Sequence, residues 1–175
     1  MALWRIMYDS RQTECCGEPI PVGDEVRWRL MLRGPHEGAA PETWQDNRSA
    51  LEPAGHGLVG GPGLTALCAG KPSAHPVGLL AVETHGPGPD DVPETAGTVR
   101  SLQVVVEGYA VTRAGGRTYE PVPGERRPRA ADTRPKWFGD TAEPDRADRG
   151  HRRTETGVLA GLGAPGGTAT ARLGQ

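Results

Sequence analysis

Residues 25–32 (EVRWRLML) carry the pattern that most constrains the fold of this chain. Apolar side chains occupy every second position, and polar side chains with one methionine stand between them. Because successive side chains of a β-strand point to opposite faces of a sheet, this period of two predicts a strand with one buried face. The residues before it, 22–24 (VGD), favour a tight turn.

The abundance of glycine and proline argues against an all-helical protein. The 175 residues include 26 glycines and 17 prolines, and only 35% are hydrophobic. Apolar runs predict further strands at 3–8 and 76–84 and one bent strand or two at 96–113, with Gly108 as a bulge or hinge. Residues 117–122 can return as a hairpin partner, whereas 9–24 is expected to be loop and turn. We therefore predict a mainly β fold, a small antiparallel barrel or sandwich of about five to six short strands with long loops.

The expected core draws its side chains from these strands. Large apolar residues are few, so the gain from burying them exceeds the cost of ordering the chain by a small margin. We expect a marginally stable domain, or one that needs a partner. The expected core residues are Trp4, Ile6, Val26, Trp28, Leu30, Leu79, Val82, Val99, Leu102, Val104, Val106 and Tyr109.

Composition suggests one domain followed by a tail. Residues 1–124 form the expected β domain, with a flexible insert rich in glycine and proline at about 33–75 that has room for a short helix near 42–51. Residues 125–175 are rich in arginine, aspartate and proline, a composition that favours disorder. Two features stand out there: the Trp137–Phe138 pair, which would gain by docking on a core, and a possible edge strand at 154–162.

Charge and cysteine content narrow the function classes. The formal net charge is −2, with residues 1–124 net acidic and the rest net basic, so the whole chain lacks the basic character of a nucleic-acid binder. Three cysteines, two of them adjacent, do not resemble a disulfide framework. The N-terminal residues contain no apolar run long enough for a signal peptide or membrane anchor. These features predict a cytoplasmic protein in a reducing compartment, with no membrane association.

Several short motifs resemble those of a family of small uncharacterised actinobacterial proteins, known only as a domain of unknown function. That family opens with a CCGEPF–VGD–V–W motif, which is matched here except that isoleucine stands in the place of phenylalanine. The resemblance implies a cytoplasmic bacterial protein and no particular reaction. The matching positions are 15–20 (CCGEPI), 22–26 (VGDEV), Trp28, then Pro93, Thr95, Gly97 and Val99, and finally 121–124 (PVPG).

The adjacent cysteines are the first candidates for chemistry. Cys15 and Cys16, with His85 as a further ligand, are the metal candidates, but the C-x₂₋₄-C spacing typical of zinc sites is absent from the sequence. On an extended chain the two side chains would point in opposite directions. A buried cysteine beside an exposed one, a metal ligand and a redox pair all remain open.

No familiar catalytic motif accompanies these cysteines. The sequence lacks the G-x-S-x-G elbow, the dinucleotide-binding glycine pattern and the P-loop, so we expect no cofactor. The sequence favours a non-catalytic β module that binds an unknown protein or ligand. The first alternative is a cysteine-based redox or metal-binding protein using Cys15 and Cys16. The second is a weak nucleic-acid binder that uses the arginine-rich tail, at residues 126–134 and 149–153, although nucleic acid is not the expected partner.

Overall fold

The computed structural model describes residues 1–34, 47–68, 70–84, 92–141 and 150–165. Within them, thirteen strands join one sheet, accompanied by one short helix. The elements in chain order are β1 (Ala2–Asp9), α1 (Ser10–Cys16), β2 (Glu25–Trp28), β3 (Leu30–Arg33), β4 (Ser49–Ala50), β5 (Glu52–Gly55), β6 (Leu58–Gly61), β7 (Leu64–Cys68), β8 (Val77–Val82), β9 (Thr95–Val111), β10 (Tyr119–Pro121), β11 (Arg127–Ala131), β12 (Asp140–Thr141) and β13 (His151–Ala164).

The long strand β9 pairs with four other strands of the sheet. Strand β13 lies antiparallel along one edge of it, with partners from Thr98 to Ala110. Three short strands share the other edge: β2 at Thr95–Thr98, β11 at Leu102–Val106 and β10 at Tyr109–Val111. The β-branched run predicted as a strand at 96–113 is therefore one continuous strand that organises half of the molecule.

Strand β13 lies inside the sheet and not at its edge. It pairs with β9 on one side and with β1 on the other, where Ala2 faces Ala164 and Asp9 faces Gly157. A register shift between Glu155 and Gly157 bends the strand. Gly157 has a φ of +151°, and a Cβ there would overlap the carbonyl oxygen of Tyr8, so this bend requires glycine. The strand considered at 154–162 exists, but its expected edge position is wrong.

From β1 the sheet continues through β8, β3, β7 and β6 to β5. Two of these neighbours run parallel, β1 with β8 and β3 with β7. The predicted strand at 25–32 is divided at Arg29 into β2 and β3, which pair with β9 and β8 respectively. Its alternation is confirmed, because Val26, Trp28, Leu30 and Leu32 are all buried.

The buried side chains form two clusters, one large and one small. The large cluster contains Ile6, Trp28, Leu80, Val104 and Leu162 among others. The small cluster consists of five residues, and the alternation of side chains along β9 and β13 places it on the opposite face of the sheet. Its members are Met7, Leu79, Ala81, Val105 and Leu159. Nine of the twelve expected core residues are buried, and the other three are half-buried: Trp4, Val106 and Tyr109.

The mainly β class is confirmed, but the expected barrel or sandwich of about five to six antiparallel strands is wrong in three respects. The sheet has more strands, it contains parallel pairs, and its hydrogen-bonded path is open from β10 to β5. The extra strands come from the region expected to be a flexible insert, where β5, β6 and β7 form antiparallel pairs. Glycines at positive φ make the turns there, at Gly57 and Gly63, so they permit the strands instead of preventing them.

Two further expectations are corrected at the level of local structure. Residues 10–16, expected to be loop, form α1, because Asp9 caps the helix by accepting a hydrogen bond from the Arg11 N–H at 2.9 Å. Of the short helix considered at 42–51, residues 42–46 lie outside the described part of the chain, and Ser49–Ala50 forms a strand paired with β8.

Strands on the two sides of the expected boundary at residue 124 pair with each other. Both β11 and β13 hydrogen-bond to β9, and β12 pairs with β13. Residues 142–149 and 166–175 of the expected tail lie outside the described residues. The described remainder of 125–175 belongs to the same sheet as the N-terminal strands.

Candidate functional site

The helix α1 brings the two adjacent cysteines together at its C-terminal end. Cys16 is its last residue, and Gly17 follows as the cap with an extended backbone. Both side chains are exposed, neither is in a disulfide, and the Cys16 S–H donates to the Sγ of Cys15 at 3.2 Å. The expectation that the two side chains point in opposite directions applies to an extended chain. Because the two cysteines lie in a helix, it does not hold here.

The contact between the sulfurs affects the acidity of one of them. The pKa of Cys16 is raised, first by its hydrogen bond to Cys15 and further by partial desolvation and by the neighbouring charge of Cys15. Cys68 lies apart from this pair on β7, half-buried. His85 lies outside the described residues. Within the ranges that the structure covers, no group of three His, Cys, Asp or Glu side chains is arranged to hold a metal ion.

A loop from the C-terminal half of the chain packs beside α1. Pro21 forms a β-bridge with Thr133, and the Arg134 N–H donates to the carbonyl of Ile20 at 2.8 Å. Four residues further on, the Phe138 N–H donates to the Glu14 side chain in α1 at 3.1 Å. We call this pair of segments, residues 18–22 and 132–139, the paired-loop surface.

Arg134 anchors the paired-loop surface to the core. Its side chain is only 2% exposed and its guanidinium lies 4.2 Å above the ring of Tyr8, a cation–π contact. Its Nη2 donates to the carbonyl of Glu18. A Cβ on Gly17 would come within 2.7 Å of that nitrogen, so glycine is needed there for the close approach. The buried Arg134 side chain therefore holds the loop of residues 132–139 against the core.

Trp137 projects from this anchored loop into solvent. The expected docking of the Trp137–Phe138 pair is half right, since Phe138 packs against the large core cluster while the Trp137 side chain is 69% exposed. The Lys136 ammonium lies 5.8 Å from the centre of the Trp137 ring. A large aromatic surface is thus presented on a segment that is held by the buried Arg134 on one side and the partly buried Phe138 on the other.

The far end of the β9–β13 pair carries a buried acid. Glu107 is buried, and one of its carboxylate oxygens accepts a hydrogen bond from the Tyr109 hydroxyl at 3.2 Å. Burial raises the pKa of the Glu107 carboxyl, and the opposing effects of the Tyr109 hydrogen bond and the Arg126 charge are smaller. Burial, followed by the Glu107 charge, raises the pKa of Tyr109 to about 12.

The raised pKa of Glu107 predicts a pH-dependent stability. A carboxyl whose pKa is higher in the folded than in the unfolded state contributes most below its ordinary value of 4.5, and the contribution is lost as the pH rises through the folded value. We expect Glu107→Gln to remove this loss, so that urea unfolding shows the variant gaining stability relative to the natural chain between pH 4.5 and 8. The matched control is Glu52→Gln at an exposed glutamate on β5, which should leave the dependence of stability on pH unchanged. Parallel stability profiles for the natural chain and Glu107→Gln would contradict the assignment.

Arginines of the basic C-terminal region make contacts within the protein. Arg129 pairs with Glu155 at 2.8 Å, and the Arg152 guanidinium lies 4.4 Å above the ring of Tyr119. Arg134 is buried. These contacts involve three of the arginines on which the second alternative relies.

One open cleft occurs elsewhere, where β2 meets the start of β9. Its volume is about 540 Å³, and it is lined by backbone and short side chains together with Glu25 and Arg27 of opposite charge. The cysteine pair and the paired-loop surface do not line it.

Sequence reasoning selected the cysteines but missed the surroundings that matter. Arg134 looked like one cation among many in a basic segment, and only the spatial meeting of residues 20–22 with 132–134 shows that it is buried. Glu107 had a local signal: it follows three valines and shares a strand face with Val105, which is buried. An acid on an otherwise apolar face of a strand is a sign of an unusual environment.

Comparison with known proteins gives a family and no activity. No curated protein and no solved structure matches the chain. Among the described residues no helix is long and apolar enough to span a membrane. A family of unknown function (DUF6578) matches residues 2–163, which is nearly the whole chain, so the expected resemblance to a family of unknown function is confirmed while the actinobacterial source stays a prediction. The chain belongs to this family of unknown function, DUF6578.

Proposed function

We propose that this protein is a non-catalytic interaction module that binds a peptide segment of a partner protein through the paired-loop surface. The observation that carries the proposal is the 69% exposure of Trp137. Tryptophan is enriched among the residues that dominate binding energy at protein interfaces, because its large surface is buried on contact.

The anchoring of Trp137 supports a binding role over an incidental exposed side chain. The neighbouring Phe138 packs on the core, and Arg134 three residues earlier is buried beneath the loop. Because these neighbours fix the segment that carries Trp137, less of the loop has to be ordered on binding, so more of the contact energy appears as affinity.

The remainder of the paired-loop surface suits a partner with apolar side chains. Val22 is 42% exposed, and Pro19 and Pro21 beside it are exposed as well. Proline-rich segments have restricted backbones, which again lowers the entropy cost of contact. The exposed sulfurs of Cys15 and Cys16 lie at the end of α1, next to this surface in the chain.

The test is a peptide selection with a matched counter-variant. A random peptide library is selected on the natural protein, and the dissociation constants of the enriched peptides are measured for Trp137→Ala and Leu3→Ala. Leu3 is 65% exposed on β1, so its substitution controls for loss of a general apolar surface. We expect Trp137→Ala to weaken binding by about 30-fold, the equivalent of roughly 2 kcal/mol, and Leu3→Ala to change it less than about twofold.

Two results would overturn the proposal. The first is that no library peptide binds the natural protein. The second is that the enriched peptides bind Trp137→Ala as tightly as the natural protein. Because Trp137 is exposed, its substitution is expected to change the free energy of unfolding by less than about 0.5 kcal/mol, so lost binding would not reflect lost folding.

A further inference from the structure

The two exposed thiols at the end of α1 form a site that the binding role does not use. Their sulfurs are 3.2 Å apart, and the hydrogen bond between them runs from Cys16 to Cys15. We propose that Cys15 and Cys16 are a reversible dithiol–disulfide redox pair, oxidised by thiol–disulfide exchange with a small disulfide such as oxidised glutathione. This proposal is independent of the peptide-binding role.

Covalent geometry decides what kind of disulfide this pair can form. Consecutive Cα atoms are about 3.8 Å apart across a trans peptide bond, whereas protein disulfides usually join Cα atoms at about 4.4–6.8 Å. A bond between Cys15 and Cys16 would therefore be strained, and it would also be exposed. Strained or exposed disulfides are easily reduced and belong to the labile, regulatory class, so the pair suits a switch and not a structural crosslink.

The exchange proceeds in two balanced steps. The Cys15 sulfur, as thiolate, attacks one sulfur of oxidised glutathione; the glutathione S–S bond breaks, a mixed disulfide forms on Cys15, and one glutathione thiolate leaves. The Cys16 sulfur then attacks the Cys15 sulfur, forms the internal S–S bond and expels the second glutathione thiolate. The two protons from the cysteine thiols end on the two glutathione molecules, so the protein is oxidised by two electrons and the glutathione disulfide is reduced by two.

The hydrogen bond between the sulfurs assigns the order of attack. Cys16 donates its proton towards Cys15, and its raised pKa means that it holds this proton more firmly than an isolated thiol. The thiolate is the attacking form of cysteine. Cys15 is therefore the first nucleophile, and Cys16 is the residue that resolves the mixed disulfide.

The experiment uses the full chain with Cys68→Ser, so that the third cysteine does not react. This protein and its Cys15→Ser and Cys16→Ser derivatives are treated with oxidised glutathione and examined by intact mass and thiol titration. We expect the parent to lose two hydrogens, to lose both titratable thiols and to carry no glutathione. Each derivative should instead retain one glutathione, and a mixed disulfide trapped early in the parent by acid and alkylation should carry its glutathione on Cys15, as located by fragmentation mass spectrometry.

Three outcomes would overturn the assignment. A parent that carries glutathione on both cysteines has no internal exchange. A parent that becomes a crosslinked dimer uses its thiols between molecules. A trapped mixed disulfide of the parent that carries its glutathione on Cys16 reverses the proposed order of attack. Circular dichroism against the natural chain checks that Cys68→Ser, which changes a half-buried residue packed against the core, keeps the fold. Cys15 and Cys16 are exposed, so serine should be tolerated at both, and the mass readout does not depend on whether Trp137 binds a peptide.

Discussion

Ending the chain after residue 124 is expected to abolish folding. The truncation removes β13, which pairs with β9 from Thr98 to Ala110 and with β1 along the whole length of that strand. The truncation leaves the facing edges of β9 and β1 without hydrogen-bond partners, and it removes buried side chains from both faces of the sheet. The buried residues lost from β13 include Val158, Leu159, Ala160, Leu162 and Ala164.

Circular dichroism and thermal unfolding would measure this effect. The full chain should show a β-sheet spectrum and one cooperative transition, and the 1–124 fragment should show neither. Adding a peptide of residues 150–165 to the fragment tests specificity, because the peptide restores β13, the strand with the longest pairing among those removed, and should recover part of the signal. A fragment that unfolds cooperatively at the temperature of the full chain would contradict the structure and support the boundary that composition suggested.

Leu162→Ala is expected to be the most damaging of the conservative substitutions on β13. Its side chain is fully buried in the large core cluster, and it faces Trp4 on β1 and Val99 on β9. Removing a buried leucine leaves a cavity, which typically costs about 2–5 kcal/mol. This cost is a large share of the free energy of unfolding, which is usually about 5–15 kcal/mol for a domain.

The matched control is the same leucine-to-alanine substitution at an exposed position. Leu3 lies on the neighbouring strand β1 and is 65% exposed, so Leu3→Ala should cost less than about 0.5 kcal/mol. Urea unfolding of both variants gives the comparison. Equal losses for the two leucines would mean that β13 does not bury Leu162 as described.

Periodicity was enough to place the strands with strong patterns. The alternation at 25–32 predicted which side chains of β2 and β3 are buried, because the period of a strand is a local property of the chain. It could not predict that Arg29 divides the strand, since that division arises from pairing with two different partners, β9 and β8. Local pattern carries no information about which distant segment completes a sheet.

The C-terminal half shows where composition misleads. Residues 151–164 contain few large apolar side chains, yet glycine and alanine pack well where strands on both sides approach closely. Gly157 is an example, because its position against the Tyr8 carbonyl leaves no room for a side chain. Small residues that look like a tail in sequence can therefore form the interior of a sheet.

The candidate site was only partly visible in the sequence. The adjacency of Cys15 and Cys16 made them candidates from the sequence. Their 3.2 Å contact lies in a helix that was not predicted, because the glycine and prolines that follow it favour loop and turn. The one local signal for that helix is Asp9, a favoured cap residue. The burial of Arg134 beneath the loop that carries Trp137 is a long-range property, because residues 20–22 and 132–134 are far apart in the sequence.

Hydrogen exchange along β13 tests the central claim most directly, namely that this strand lies at the centre of the one sheet that holds α1 and the paired-loop surface in place. Amide exchange is measured by mass spectrometry on peptides covering residues 157–164 and 99–106 of the natural chain. Within these peptides, the structure predicts that the amides of 157–163 and 102–106 exchange equally slowly, at a rate set by global unfolding, because both segments have strand partners on both sides. Exchange of 157–164 at the rate of an unstructured peptide, while 99–106 stays protected, would contradict it.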